Sequence, residues 1–201
     1  MYAIVLILIA YLLGAVNFSF LYGRLFKGID IRNHGSGNAG ATNTLRVLGK
    51  GPGILVLILD VLKGVAAVLI GKWAAAPDQL WIPVLCGLFA IIGHNWPVYF
   101  GFRGGKGVAT MIGAMLTLAF LPTLTACLIA VAVIAVTRYV SLGSLLIALL
   151  TPAMLLAFHR PLEIFLASIV LCLFTFIRHR SNIVKLIQGR ENKLGAKTKK
   201  I

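Results

Sequence analysis

Apolar stretches, each near the length needed to cross a lipid bilayer, follow one another along almost the whole chain, and only short segments separate them. Spanning the hydrocarbon takes roughly 20 predominantly apolar residues in a helix. Seven stretches meet or approach that length, at about 2–22, 53–72, 81–100, 107–121, 123–138, 141–158 and 161–177. Backbone groups in lipid must be bonded within the structure, which leaves helices or a closed barrel, and runs this long fit helices. The expected architecture is therefore an all-α, polytopic integral membrane helix bundle, one domain over 1–201. Composition leaves nothing for a soluble domain, because 201 residues that are 60% hydrophobic and 12% charged cannot cover a water-facing surface. The fourth and fifth spans are short, about 15 residues each, and are divided at Pro122, so they require tilt or local thinning of the bilayer.

Charge fixes the expected orientation. The first stretch is apolar from its start and lacks a basic leader region, while Arg24 and Lys27 follow it. That pattern is an uncleaved helix with its N-terminus outside. The inner segments then carry Arg24, Lys27, Arg32, Arg46 and Lys50, next Arg103 and Lys106, next Arg138. A basic tail over about 178–201 adds Arg178, Arg180, Lys185, Arg190, Lys193, Lys197, Lys199 and Lys200. Only Lys72 and Arg160 fall outside, and an odd number of spans keeps the C-terminus cytoplasmic. The net charge of +14 calls for an anionic partner. Basic residues confined to short loops do not suit nucleic acid, which leaves lipid headgroups and phosphorylated metabolites, and Lys193 to Lys200 read as a headgroup patch. Cys86, Cys127 and Cys172 all lie in apolar runs and read as packing residues, neither disulfides nor metal ligands. Asp60 and Lys63 share a helix face inside the second span, as a self-neutralised structural pair or as a contact within the bundle.

Three polar clusters interrupt this pattern. The first runs Gly35-Ser36-Gly37-Asn38-Ala39-Gly40-Ala41-Thr42-Asn43-Thr44-Leu45-Arg46. Its glycines satisfy G-x-G-x-x-G, but a dinucleotide site needs a preceding strand and a βαβ unit, and neither is present. Small residues do let backbone N–H groups converge on an anion, with Ser36, Thr42 and Asn43 as added donors and Arg46 as a forked cation suited to phosphate. The second cluster begins Gly93-His94-Asn95-Trp96-Pro97 and ends Arg103-Gly104-Gly105-Lys106-Gly107. Gly107 stands where a P-loop needs Ser or Thr, so that motif fails, yet Gly104, Gly105 and Gly107 with Lys106 still fit a backbone nest at the start of a helix. Pro97 frees backbone groups nearby, so His94 and Asn95 either face a polar cavity or, for His94, make a buried bond to a carbonyl. The third cluster is split between Ser141-Leu142-Gly143-Ser144 and Arg178-His179-Arg180-Ser181-Asn182, with Gly189, Arg190 and Glu191 beyond. His179 and Asn182 share a face if the seventh span continues through them. The charge-based topology puts all three clusters on the cytoplasmic side.

Acids are scarce at these clusters. Only Asp30 and Glu191 lie near them, the four histidines at 34, 94, 159 and 179 are scattered, and no carboxylates are paired for a metal. Metal-assisted hydrolysis and kinase-type transfer therefore lack their usual parts, and no metal or cofactor is expected. No Gly-x-Ser-x-Gly elbow occurs, and no His is followed by Asp five positions on. A site rich in anion donors and poor in acid–base groups suits an electrophile that arrives already activated.

The motifs Gly35 to Asn43, Gly93 to Pro97 with Gly104 to Gly107, and the Ser141–Ser144 and His179–Asn182 pair resemble those of the bacterial acyl-phosphate:glycerol-3-phosphate acyltransferases over essentially the whole chain. The resemblance implies a seven-helix enzyme of the cytoplasmic (inner) membrane. It would move an acyl group from acyl phosphate to the 1-hydroxyl of glycerol 3-phosphate, giving lysophosphatidate and inorganic phosphate. It implies catalytic roles for Ser36, Arg46, Lys106, His179 and Asn182. Substrate contacts would come from Gly35, Gly37, Asn38, Gly40, Thr42, Asn43, His94, Asn95, Gly104, Gly105, Gly107, Ser144 and Glu191. The base would be His179 or a substrate phosphate. Membrane lipids are the remaining partner, and a monomer is compatible with the scheme. An anion carrier would instead place its groups near the midplane, often with inverted repeats, and no repeat is visible here. A purely structural lipid-binding protein leaves the first two motifs without a purpose.

Overall fold

The computed structural model describes residues 2–195; Met1 and 196–201 lie outside it, and with them Lys197, Lys199 and Lys200 of the basic tail. The described residues contain helices and no strand. In chain order these are α1 (Tyr2–Ala15), α2 (Phe18–Lys27), α3 (Ala41–Leu48), α4 (Lys50–Ala74), α5 (Trp81–Asn95), α6 (Val108–Leu118), α7 (Phe120–Thr137), α8 (Val140–Ala157), α9 (Leu162–Arg178) and α10 (Arg180–Ile187). Short 3₁₀ turns occupy Ile31–Asn33 and Val98–Phe100. Two compact units divide the described residues, 2–114 and 115–195, so α6 runs through the division.

Lys50–Ala74, Trp81–Phe100, Phe120–Thr137 and Val140–Ala157 are long and apolar enough to cross a membrane. Two bent helix pairs, α1 with α2 at 41° and α9 with α10 at 62°, raise that to six if each pair is one span. The first apolar stretch is therefore not one straight helix. Its break has a local cause: Asn17 Oδ1 accepts the Phe20 N–H at 2.8 Å and opens a new helix as its N-cap. The short fourth stretch is α6, whose 11 residues rise about 16 Å, roughly half the hydrocarbon thickness. Its junction with α7 falls at Ala119, not Pro122. Pro122 sits in the first turn of α7, where a missing N–H has no helical partner to lose.

In the first unit α1 and α4 both pack on α5. The seam is made of small side chains, Ala3 and Ala10 of α1, Ala67 of α4, and Cys86 and Ala90 of α5 with Ile82. Lipid tails are as apolar as leucine, so membrane helices associate through close backbone approach. Gly14 and Gly93 show how close: a Cβ on Gly14 would run into the Ala90 backbone, and one on Gly93 into the Tyr11 carbonyl. The Tyr11 hydroxyl then donates to Trp96 O at 2.9 Å, fixing the end of α5. In the second unit α7 packs on α8, α8 on α9, and α10 on both α8 and α9. The α9–α10 corner falls at His179, so the seventh stretch does not continue as a straight helix through Asn182.

Candidate active site

The first glycine-rich segment is wound around one side chain. Asn43 Nδ2 donates to Ile31 O at 3.2 Å and His34 O at 2.9 Å, while its Oδ1 accepts the Ser36 N–H at 2.8 Å. Asn43 is only 1% exposed, and both its amide hydrogens and its amide oxygen bond to the loop. Gly35 meets this amide at φ +62°, where a side chain would be strained and would also collide with Asn43. The loop so closed leaves Ser36, Gly37 and Thr42 exposed and Asn38 half-buried. Gly40 caps α3, and the N–H groups of Ala41 and Thr42, with the Ser36 and Thr42 hydroxyls, make a surface of donors, while those of Asn43 and Thr44 return to Gly40 O. Arg46 is half-buried in the last turn of α3. The base of the segment is fastened to α2, where Ser19 Oγ lies 2.6 Å from Thr44 Oγ1.

Just before this loop, Asp30 caps the turn Ile31–Asn33 by accepting the Arg32 N–H. The Arg32 guanidinium folds back on the same carboxylate, with Nε 2.9 Å from Oδ1 and Nη2 2.7 Å from Oδ2. The side-chain hydrogen bonds from Arg32 hold the Asp30 carboxyl below the usual aspartate range, and the same contact raises Arg32. The guanidinium also lies 4.6 Å over the Phe20 ring and donates to Phe100 O at 2.8 Å.

Phe100 belongs to the second segment, and a second tie joins the two. The Gly105 N–H donates to His94 O at 3.1 Å, which folds the loop back over the end of α5. Gly105 is buried, and a Cβ there would overlap the His94 imidazole and lie 2.9 Å from Ala39 O. The middle of the second motif thus rests on the middle of the first. Asn17 holds the same carbonyl, its Nδ2 3.1 Å from Ala39 O. Gly104 and Lys106 stay half-buried at this surface, and Gly107, at φ +80° against Asn95 Oδ1, leads into α6. His94 and Asn95 lie underneath, the imidazole 3% exposed with its Nδ1 3.5 Å from Asp60 Oδ1, the asparagine wholly buried. No carboxylate in this region is left for acid–base work, since Asp30 is engaged by Arg32 and Asp60 by Lys63 at 2.9 Å.

The third cluster lies in the second unit. Ser144 is buried in α8, its Oγ 2.9 Å from Val140 O. His179 sits at the α9–α10 corner with Nδ1 2.8 Å from Thr175 O. A carbonyl can only accept, so Nδ1 carries the proton and Nε2 is the basic atom of the neutral ring. Asn182 Nδ2 donates to Glu191 Oε1 at 3.0 Å. Arg138 and Leu194 exchange bonds, Arg138 Nη2 to Leu194 O at 2.6 Å and Leu194 N–H to Arg138 O at 2.7 Å. These bonds lay the segment after α10 along the start of α8.

A family model described as glycerol-3-phosphate acyltransferase matches residues 4–189. The chain belongs to that family. Curated glycerol-3-phosphate acyltransferases are close to it in sequence. That of Shouchella clausii (strain KSM-K16) is 56% identical over 95% of both chains, and that of Halalkalibacterium halodurans is 51% identical over 96% of this chain and 95% of the relative. Among solved structures, the crystal structure of PlsY (YgiH), an integral membrane glycerol 3-phosphate acyltransferase, in its glycerol 3-phosphate form, superposes with a TM-score of 0.92. It is 39% identical, covering 97% of this chain and 96% of that one. The lysophosphatidic acid form of PlsY gives a TM-score of 0.89 at 38% identity. This acyltransferase is thus an integral membrane protein with several apolar helices.

Sequence reasoning passed over several residues that tie these two segments together. Asn17 sits in an apolar stretch and carried a readable signal, since asparagine there is an N-cap candidate that ends one helix and begins another. Asp30 was legible only as a scarce acid and Arg32 only as a basic-loop residue, because nothing local shows that the fork reaches Phe100. Ala39 acts through its carbonyl, which residue type does not encode.

Proposed function

We propose that the protein transfers an acyl group from acyl phosphate to the 1-hydroxyl of glycerol 3-phosphate, giving 1-acylglycerol 3-phosphate and inorganic phosphate, the first step of bacterial phospholipid synthesis. The observation that carries this reading is the seating of Gly105 on Ala39, which joins two donor-rich, carboxylate-poor segments into one surface suited to phosphate groups. The chemistry needs no acyl-enzyme, because acyl phosphate is a mixed anhydride. The hydroxyl oxygen attacks the acyl carbon, the bond from that carbon to the phosphate oxygen breaks, and inorganic phosphate departs. The hydroxyl proton passes to His179 Nε2 or to a substrate phosphate. Ser36, Arg46 and Lys106 bind phosphate and offset developing charge, a contribution of proximity and electrostatics. Gly104 to Gly107 hold glycerol 3-phosphate, while Ser144, His179, Asn182 and Glu191 enter by residue type. Seven spans, an external N-terminus and a site facing the cytoplasm complete the reading, which the clustering of basic residues supports.

The deciding assay uses purified protein in liposomes with labelled glycerol 3-phosphate and either acyl phosphate or acyl-CoA. Lysophosphatidate formed from acyl phosphate alone is the expected result. Acylation from acyl-CoA alone refutes the donor, and uptake of glycerol 3-phosphate without acylation refutes the enzyme. A trappable acyl group on Ser36 refutes direct attack. Cysteine labelling that put positions 36 and 106 on opposite sides of the bilayer would refute the shared site.

A further inference from the structure

The buried charges of α4 take no part in the chemistry above, yet they sit beneath it. Asp60 and Lys63 meet at 2.9 Å with almost no exposure. Lys63 Nζ also donates to Val16 O at 2.8 Å, at the break between α1 and α2, and lies 5.5 Å from the Phe18 ring centroid. Asp60 Oδ1 lies 3.5 Å from His94 Nδ1. A buried ion pair adds little stability over apolar residues of the same volume, and ionisable groups inside membrane helices commonly mark function. Mutual neutralisation alone does not account for a carboxylate turned toward a histidine.

Charge balance sets the state of that histidine. Asp60 and Lys63 cancel, so a neutral imidazole leaves the buried cluster uncharged, whereas an imidazolium would leave an excess cation. With Nδ1 3.5 Å from Asp60 Oδ1, a charge contact longer than a good hydrogen bond, a neutral ring protonated on Nδ1 keeps its lone pair on Nε2. Nε2 is the atom that a Cβ on Gly105 would strike, and His94 O accepts the Gly105 N–H. His94 therefore holds Gly105 from two points. A parallel route runs from Val16, held by Lys63, through the adjacent Asn17 to Ala39 and again to Gly105.

We propose that Asp60 and Lys63 are positioning residues for the second glycine-rich segment. They fix the tautomer and orientation of His94, and His94 sets the placement of Gly105 and hence of the donors from Gly104 to Gly107. This deepens the proposed function and rests on that segment holding glycerol 3-phosphate.

The test is the double variant Asp60→Leu/Lys63→Met, which removes both charges together and leaves no unpaired ion, assayed in liposomes after gel filtration confirms folded protein. The KM for glycerol 3-phosphate should rise about tenfold or more, the scale typical of outer-shell partners, while kcat and the KM for the acyl donor stay within about twofold. Gly105→Ala should do the same, and combining all three changes should add little, since both routes end on Gly105. An unchanged KM for glycerol 3-phosphate, a joint loss in kcat and both KM values, or multiplicative effects with Gly105→Ala would overturn the proposal. If the double variant does not fold, His94→Phe, which keeps a ring but lacks Nδ1–H, is read by the same criteria. A wild type that prefers acyl-CoA refutes the donor alone, because the KM comparison proceeds with whichever donor works. A wild type that never acylates glycerol 3-phosphate refutes both.

Discussion

Replacing Asn43 with alanine tests whether the first segment is held by its own side chain or shaped by what it binds. The substitution removes three hydrogen bonds at 2.8, 2.9 and 3.2 Å from a position that is 1% exposed. At about 1 kcal/mol net each, the ordered loop loses about 3 kcal/mol, while Ile31 O and His34 O keep the His34 and Gly37 N–H groups as donors. Each 1.4 kcal/mol is a factor of ten, so kcat/KM for glycerol 3-phosphate can fall by up to about 150-fold. Asn43→Asp should be no milder, although it keeps the acceptor for the Ser36 N–H, because it turns a carboxylate oxygen on two carbonyls. The decisive assay needs no substrate. Hydrogen exchange at the Ser36 amide should accelerate by a comparable factor in Asn43→Ala, since that amide bonds to Asn43 Oδ1. A variant with wild-type exchange over 34–37 and only a raised KM would mean that Asn43 contacts substrate directly, and the organising role would be refuted.

Three further outcomes follow. Arg32→Lys keeps the charge but loses the fork between Asp30 and Phe100 O, and at partly exposed groups the loss is about 1–2 kcal/mol, seen as a roughly fivefold to thirtyfold rise in KM for glycerol 3-phosphate; an unchanged KM refutes the tie. Asp30 is depressed by Arg32, so its contribution is fully present above the ordinary aspartate value of 3.8 and is lost as pH falls through its lower folded value; the wild-type to Asp30→Asn activity ratio should be flat from about pH 5 to 9, and a limb near neutrality would refute the assignment. Gly93→Ala forces α1 and α5 apart, because the new Cβ meets the Tyr11 carbonyl; the expected cost of about 1–3 kcal/mol appears as lower thermal stability in detergent, and unaltered stability would show that the crossing can relax.

Much of the fold was legible because lipid imposes one demand on every span, and apolar runs register it directly. α4 and α8 fall almost where their runs do, at Lys50–Ala74 and Val140–Ala157. The breaks were harder. Val16 and Asn17 interrupt the first run through one capping bond, and a hydropathy window averages over a single asparagine. The α6–α7 junction fell at Ala119 because proline is tolerated in a first turn, so Pro122 marked the neighbourhood and not the joint. The site divides the same way. Glycine density located both segments, since close backbone approach requires glycine. Their meeting at Ala39 and Gly105, and the charges of α4 below, depend on tertiary placement that local residue types do not carry.

The joint between α3 and α4 has a consequence for the proposed reaction, which joins one water-borne and one lipid-borne reactant. Only Gly49 separates the two helices, and Gly53 of α4 lies so close to Leu45 that any side chain on it would collide. Arg46, the next residue, is therefore referenced to a 25-residue helix, the longest among those described. Its Cα is held at a fixed offset from the start of that helix, as a float arm is held to its pivot, and under the proposed function a stiff joint here keeps the cation at one level for the phosphate of the acyl donor.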